Sequence, residues 1–283
     1  MLNQRLLLAL SVLGVAGLLL TGPARTADYT DTQTTDLNNG DTVNTGTTPG
    51  TFGPPPHGFA VFADDKTITL PGHNTLRTSG SGAAGIFIRR IPAGSDATVN
   101  ATGTVITTIG IVRGGVRVLN EDTTGTASAT LNNVTITTSN AGLGAIRANA
   151  GNGGNVALSI TGPSTASNNG PGIQFFSSGS GVATLTDTAV TATSVGITAI
   201  DSIVTISGTS KVTTTGDNGA TGISIGVANV TVGNGVIVET RGSRSNGIVL
   251  AADNAPGAVL TAGAATVTCG AYACDARAGQ CLG

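Results

Sequence analysis

The sequence predicts an all-β solenoid, a stack of short-stranded rungs that bury one another's inward faces. Three observations point there. A Gly followed by a short apolar strand recurs at eight places along the chain. The runs between turns alternate apolar and polar residues, the period of a strand. No run is long enough to close a core alone, so each unit has to be covered by its neighbours. The clearest unit is 203–225, where Val204, Ile206, Val212, Ile223 and Ile225 are separated by Thr, Ser and Gly. Ser207-Gly208 and the stretch 216–219 break it into three strands.

The anchors are Gly58, Gly85, Gly115, Gly144, Gly172, Gly196, Gly222 and Gly247, at spacings of 27, 30, 29, 28, 24, 26 and 25 residues. Loops of unequal length between fixed strands produce such drift. The second half of each unit agrees. Apolar segments at 68–70, 129–131, 158–160, 183–185 and 230–232 are each followed by a turn of Gly, Asn, Asp or Pro. These residues suit the positive backbone angles of tight corners. A Thr-rich strand follows, starting near Val134, Val190, Val212 and Val236. Residues 163–169 are polar and nearly unpatterned, the weakest stretch of the array. The expectation is eight to nine rungs filling residues 58–270.

Composition fits thin rungs. Charged residues are 10% of the chain, against roughly 25% in ordinary globular chains. Aromatics are 3% and Trp is absent, while Gly accounts for 43 of 283 residues. Aliphatic residues are plentiful and regularly placed, which argues against disorder. A net charge of −2 makes neither nucleic acid nor an anionic membrane an obvious partner.

The N-terminus reads as a signal peptide over residues 1–24. Arg5 supplies the positive region, and 6–20 is an apolar run of 15 residues, short for a spanning helix. Gly22 and Ala24 satisfy the small-x-small rule for cleavage after Ala24, with Thr26 and Ala27 as other sites. A retained membrane anchor is the competing reading. No Cys follows the apolar run, which argues against a lipoprotein anchor. No other stretch could span a membrane, so the mature chain is expected to be exported without a transmembrane segment. Residues 25–57 form a polar Thr/Asn/Pro-rich segment or cap, in which 36–43 could make a first imperfect rung. Pro54-Pro55-Pro56 is a stiff extended spacer.

Cys269, Cys274 and Cys281 are the disulfide candidates, as expected of an exported chain. Cys274 and Cys281 are the easier pair to close; free thiols and a zinc site are the alternatives. Three Cys without a nearby His make a poor zinc set. The tail 271–283 either caps the array or marks a truncated reading frame.

Other chemistry is thin. His57 and His73 sit beside Pro and Gly, as surface residues do. Asp64-Asp65-Lys66 reads as a calcium site or, more simply, as a solvated turn. Asp187, Asp201, Asp217 and Asp253 fall at different phases of their units and so do not line one face. Arg241 and Arg244 form a contact loop or a solvated one. Residues 151–155 lack the Asp of calcium-binding nonapeptide repeats. No catalytic, cofactor-binding or metal residue is assigned.

Units of the form apolar strand, Gly or Asn turn, Val-x-Thr strand, Gly loop and Gly-Ile strand resemble the passenger domains of bacterial autotransporters. The resemblance covers most of 58–270. It implies a right-handed parallel β-helix of the pertactin type and an extended, non-catalytic surface for binding or adhesion. It further implies residence at the cell surface or outer membrane, or secretion, with the periplasm also open. The implied partner is a host or extracellular-matrix surface or a polysaccharide. In that family a C-terminal β-barrel carries the passenger outward. No barrel-length series of alternating strands follows here, so display would call for a separate outer-membrane translocator. The alternative is a polysaccharide-acting lyase or hydrolase on a pectate-lyase-like β-helix. That chemistry needs carboxylates clustered in one groove and an Arg or Lys to move a proton. A passenger fragment with no function of its own is a third reading.

Overall fold

The computed structural model describes residues 26–46, 59–79, 82–110, 114–139, 142–217, 219–242, 245–250 and 258–269. The expected signal peptide, Pro54 to Pro56, His57 and Gly58 lie outside these residues. All described strand pairings are parallel, and the chain winds through three sheets per turn as a β-solenoid of about seven turns. The first sheet has ten strands, starting at Asp28–Tyr29 and Thr42–Gly46 and ending at Ile237–Thr240 and Thr266–Thr268. The second starts at Phe59–Asp64 and ends at Asn246–Leu250; the third starts at Thr67–Leu70 and ends at Val259–Ala262. The second and third are joined, because Ile173–Thr186 and Val195–Ser207 run unbroken round the corner between them. Eight to nine rungs were expected from eight anchors. Eight layers are separated by only seven turns; the first sheet has two strands more, and Gln33 bridges to Val61 ahead of the second sheet's first strand.

Alternation puts one aliphatic column on the inner face of each strand position. In the first sheet the column runs Val43, Leu76, Ile106, Ile136, Ala166, Val190, Val212, Val238 and Val267 in direct register. In the second it runs Val61, Ile86, Val116, Ile146, Ile173, Ile197, Ile223 and Ile248. In the third it runs Leu70, Ala101, Leu131, Ile160, Leu185, Ile206, Val232 and Ala262. These side chains form one continuous core, with Ile248 and Val267 packed against its end and Ala262 exposed beyond it. Each large aliphatic member contributes roughly 1.5–3 kcal/mol through burial.

The recurring Gly has a packing cause. A Cβ built on Gly85, Gly115, Gly172, Gly196, Gly222 or Gly247 would collide with a γ-methyl of Ile106, Ile136, Val190, Val212, Val238 or Val267, respectively. Each is the first-sheet core residue of the following turn. The register shows that Ala60 and Ala145, not the sequence anchors Gly58 and Gly144, occupy this column in two turns. In those turns the matching first-sheet residue is Leu76 or Ala166, neither of them β-branched. The column therefore takes a methyl only where the facing residue is not β-branched.

Corners between the third and first sheets carry a left-handed residue in successive turns. His73, Gly103, Asn133, Gly162, Asp187 and Gly208 have φ between 52° and 68°. Asn and Asp tolerate this conformation better than most side chains. Ser164 and Ser210 sit just inside such corners and accept hydrogen bonds from Val134 N and Thr188 N of the preceding turn, at 3.0 and 3.1 Å.

Charge is used as a staple between turns. Buried Arg90 binds Asp122 and donates to the carbonyls of Thr124, at 2.6 Å, and Gly94, at 2.9 Å. Glu239 bridges Arg241 and Lys211, at 2.7 and 2.9 Å.

Two outcomes are expected. Gly→Ala inside a strand ordinarily stabilises, because Gly costs roughly 0.5–1 kcal/mol there. At Gly115 the clash with Ile136 reverses the sign, and denaturant melts should show a loss of about 1–3 kcal/mol. Combined with Ile136→Ala, the two losses should sum to less than their separate values by about 0.5 kcal/mol or more. Secondly, the Arg90 hydrogen bond holds the Asp122 carboxyl down to about 2, from an ordinary 3.8. Arg241, then Lys211, hold Glu239 at about 2, from 4.5. Folded values lie below unfolded ones, so this stability is complete above about pH 4.5 and is lost as pH falls towards 2. The chain carrying Asp122→Asn with Glu239→Gln should show a shallower decline in urea midpoint across that window than the parent chain.

Candidate functional site

The outer face of the third sheet is regular. Its central outward column reads Thr69, Asn100, Thr130, Ser159, Thr184, Thr205, Thr231 and Thr261, one residue per layer in direct register. Thr102, Asn132, Thr161, Thr186 and Ser207 extend a parallel column beside it. Thr67, Thr98, Ser128, Ala157, Val182, Ile203, Asn229 and Val259 form the column on the other side. None of these positions holds a charge. Neighbouring turns lie about 4.7–4.9 Å apart, so the face is a grid of hydroxyl and amide groups. Some of them bond across turns, as Thr98 Oγ1 does with Ser128 Oγ at 2.8 Å and Thr186 Oγ1 with Ser207 Oγ at 3.0 Å.

A pocket of about 270 Å³ opens at one corner of this grid, where the second sheet turns into the third. Three consecutive turns build it. Ser180 and Gly181 come from one turn, Asp201, Ser202 and Ile203 from the next, and Val227, Ala228 and Asn229 from the third. The register explains the hollow. Between Phe176 and Gly181 the chain inserts four residues, where the following turn passes the same corner with Asp201 alone. The longer corner stands out as a wall beside the shorter one. Asp201 makes this short turn at φ 49° and stays exposed. Ile203 and Val182, 51% and 45% exposed, lay an aliphatic strip from the pocket onto the grid. Ser202 points the other way. It is buried and its hydroxyl has no hydrogen-bond partner.

The residues considered from sequence are dispersed. Asp64 forms a bidentate pair with Arg89, at 2.9 and 2.7 Å, and Asp65 accepts from Ile91 N at 3.0 Å, so both carboxylates hold adjacent turns together. His73 is an exposed left-handed corner residue. Asp187 accepts from Thr209 N and Oγ1, at 2.8 and 2.9 Å, and these bonds lower its pKa. Asp187, Asp201 and Asp217 occupy three different corners of the cross-section. Arg241 is committed to Glu239. Cys269 follows the last described strand, half-buried beside Gly247. Cys274, Cys281, Asp253 and Arg244 lie outside the described residues. Among the described residues no three His, Cys, Asp or Glu side chains are placed to hold one metal ion.

No family model matches the sequence, and neither curated proteins nor solved structures gave a match. The case for function rests on the surface itself. Ser180, Ile203 and Asn229 were not singled out from sequence. The available signal was Ile200-Asp201-Ser202-Ile203, a polar pair inside an apolar alternation with no Gly to mark a turn.

Ser202→Ala removes a buried hydroxyl that bonds to nothing. It should leave the melting temperature unchanged or raise it, with a gain on the order of 1 kcal/mol in denaturant melts.

Proposed function

We propose that the chain is exported and works as a non-catalytic, extended binding module of the autotransporter-passenger kind, with a hydroxyl-rich polysaccharide or matrix glycan as its partner. One observation carries the reading: the uncharged Thr/Ser/Asn grid that runs through all eight layers of the third sheet. Such a face can exchange hydrogen bonds with a linear polyhydroxylated chain at many regularly spaced points. The aliphatic strip of Val182 and Ile203 offers contact to the C–H faces of sugar rings. The corner pocket is at the small end for ligand sites, sized for a terminal sugar rather than a long substrate. Its single carboxylate, Asp201, supports binding over cleavage, since glycoside hydrolysis ordinarily uses two.

Protease shaving of intact cells, with fractionation, tests the location; removal of the chain from the outer surface is the expected result. A soluble, protected periplasmic pool would exclude surface adhesion. Ile203→Asp together with Asn229→Ala should lower retention on neutral glycan columns at least tenfold without changing the melting temperature. Release of an unsaturated, ultraviolet-absorbing product from polyuronate in calcium would sink the non-catalytic reading.

A further inference from the structure

Three Asp residues turn corners in the left-handed conformation: Asp65, Asp187 and Asp201, at φ 49°, 54° and 49°. The first two commit their carboxylates to the following turn. Asp65 accepts from Ile91 N, and Asp187 accepts from Thr209 N and Oγ1. Asp201 differs. It is exposed, and among the described residues its carboxylate has no hydrogen-bond or ion-pair partner. The register gives the reason. Ala199 pairs with Ile225 and Ile203 with Asn229, so Val227 holds the matching place in the following turn, with no side-chain donor to offer. Gly or Asn would make the same corner without a charge. The fold therefore does not account for this carboxylate.

Its surroundings define what it could meet. Among the described residues, Asp201 is the only charged one lining the pocket of about 270 Å³. Ser180 on the long wall and Asn229 on the other side add a hydroxyl and an amide, while Ile203 and Val227 are aliphatic. The outward columns of the third sheet beside the pocket are uncharged, and Lys211 and Arg241 are held by Glu239 on the first sheet. A carboxylate, a hydroxyl oxygen and an amide oxygen are three acceptors, and an ammonium group has three donors. A calcium ion would call for about six to eight oxygens, several of them from carboxylates. The pocket therefore suits a compact organic cation with polar and C–H surface around it.

We propose that the Asp201 pocket binds an amino sugar, with the protonated amine on Asp201 and the C–H face of the ring on Ile203. The neighbouring sugar units then lie along the hydroxyl grid. The aliphatic strip of Ile203 and Val182 is wide enough for a ring, whereas the narrow stem of a lysine would leave most of it uncovered. This inference rests on the reading of the third-sheet face as a glycan-binding surface, and adds the charge that the ligand carries.

The test uses titration calorimetry on the full chain with four probes: glucosamine oligomers, N-acetylglucosamine oligomers of the same length, dextran and polylysine. The glucosamine oligomers should bind more tightly than the acetylated ones by roughly threefold or more, the scale of one partly exposed ion pair. That preference should shrink as salt is raised, because screening acts on the charge alone. Asp201→Asn keeps the shape and the left-handed backbone; it should abolish the preference and leave binding of the acetylated oligomers unchanged. Ser180→Tyr, on the exposed wall, should narrow the pocket and weaken binding of the glucosamine oligomers. Thermal melts separate lost binding from lost folding, and if the Asn variant fails to fold, the Tyr variant and the salt titration of the parent chain decide. The inference is overturned if the parent chain binds both oligomers equally, if a folded Asn variant keeps the preference, or if polylysine binds as tightly as the glucosamine oligomers. Equal binding of both oligomers or of dextran would sink this inference alone. Binding of no glycan at all would sink the reading of the face with it.

Discussion

The contact between the β-branched column of the first sheet and the glycine column of the second fixes the rest of the structure. It sets how closely the two sheets approach and therefore the width of every turn. Because Ile or Val of one turn lies against Gly of the turn before, each rung is keyed to the next as well as hydrogen-bonded to it. The exceptions obey the same rule, since a methyl at Ala60 or Ala145 coincides with Leu76 or Ala166 across from it.

With the strands held so uniformly, individuality moves to the corners and the outward columns. In the earlier turns the corner between the second and third sheets carries polar loops, pinned by Arg90 and by Asn120, whose Nδ2 donates to the carbonyls of Gly125 and Asn155 at 3.0 and 2.9 Å. In two turns, Ile173–Thr186 and Val195–Ser207, the strand runs unbroken through the corner, and the hollow at Asp201 arises where the second is shorter than the first. The outward columns then divide the surface by chemistry. One face is uncharged and hydroxylated; another sets Arg89, Arg117 and Arg147 over the rings of Phe62, Phe87 and Phe176. The same backbone period presents both.

The fold was legible because the inward columns are aliphatic in nearly every turn, and alternation survives variable loop lengths. The stretch 163–169 was opaque for a physical reason. Ser164–Asn168 is a strand whose inward residues are Ser164, Ala166 and Asn168. Asn168 Nδ2 donates to the carbonyls of Leu143 and Pro171, at 2.5 and 2.8 Å, bonds that no apolar pattern can signal. Gly144 was taken as an anchor because it resembles one locally; only the pairing of Ile146 with Ile173 shows Ala145 in the column. The surfaces were harder still. Arg117 and Arg147 are 30 residues apart, and their adjacency exists only once the turn length is known. The pocket depends on one turn having three more corner residues than the next, a difference that reads in sequence as ordinary loop drift.

The stacking of ten strands in the first sheet has a consequence for how such a chain can vary. At about 4.7–4.9 Å per step the array spans on the order of 45 Å. Each unit meets only the units above and below it. Duplication or loss of one 24–30-residue unit, cut at the same corner, would lengthen or shorten the rod by one increment and leave its cross-section untouched. Reach is therefore a digital property of this molecule, adjustable by copying a segment, whereas the surface chemistry at each level can drift residue by residue.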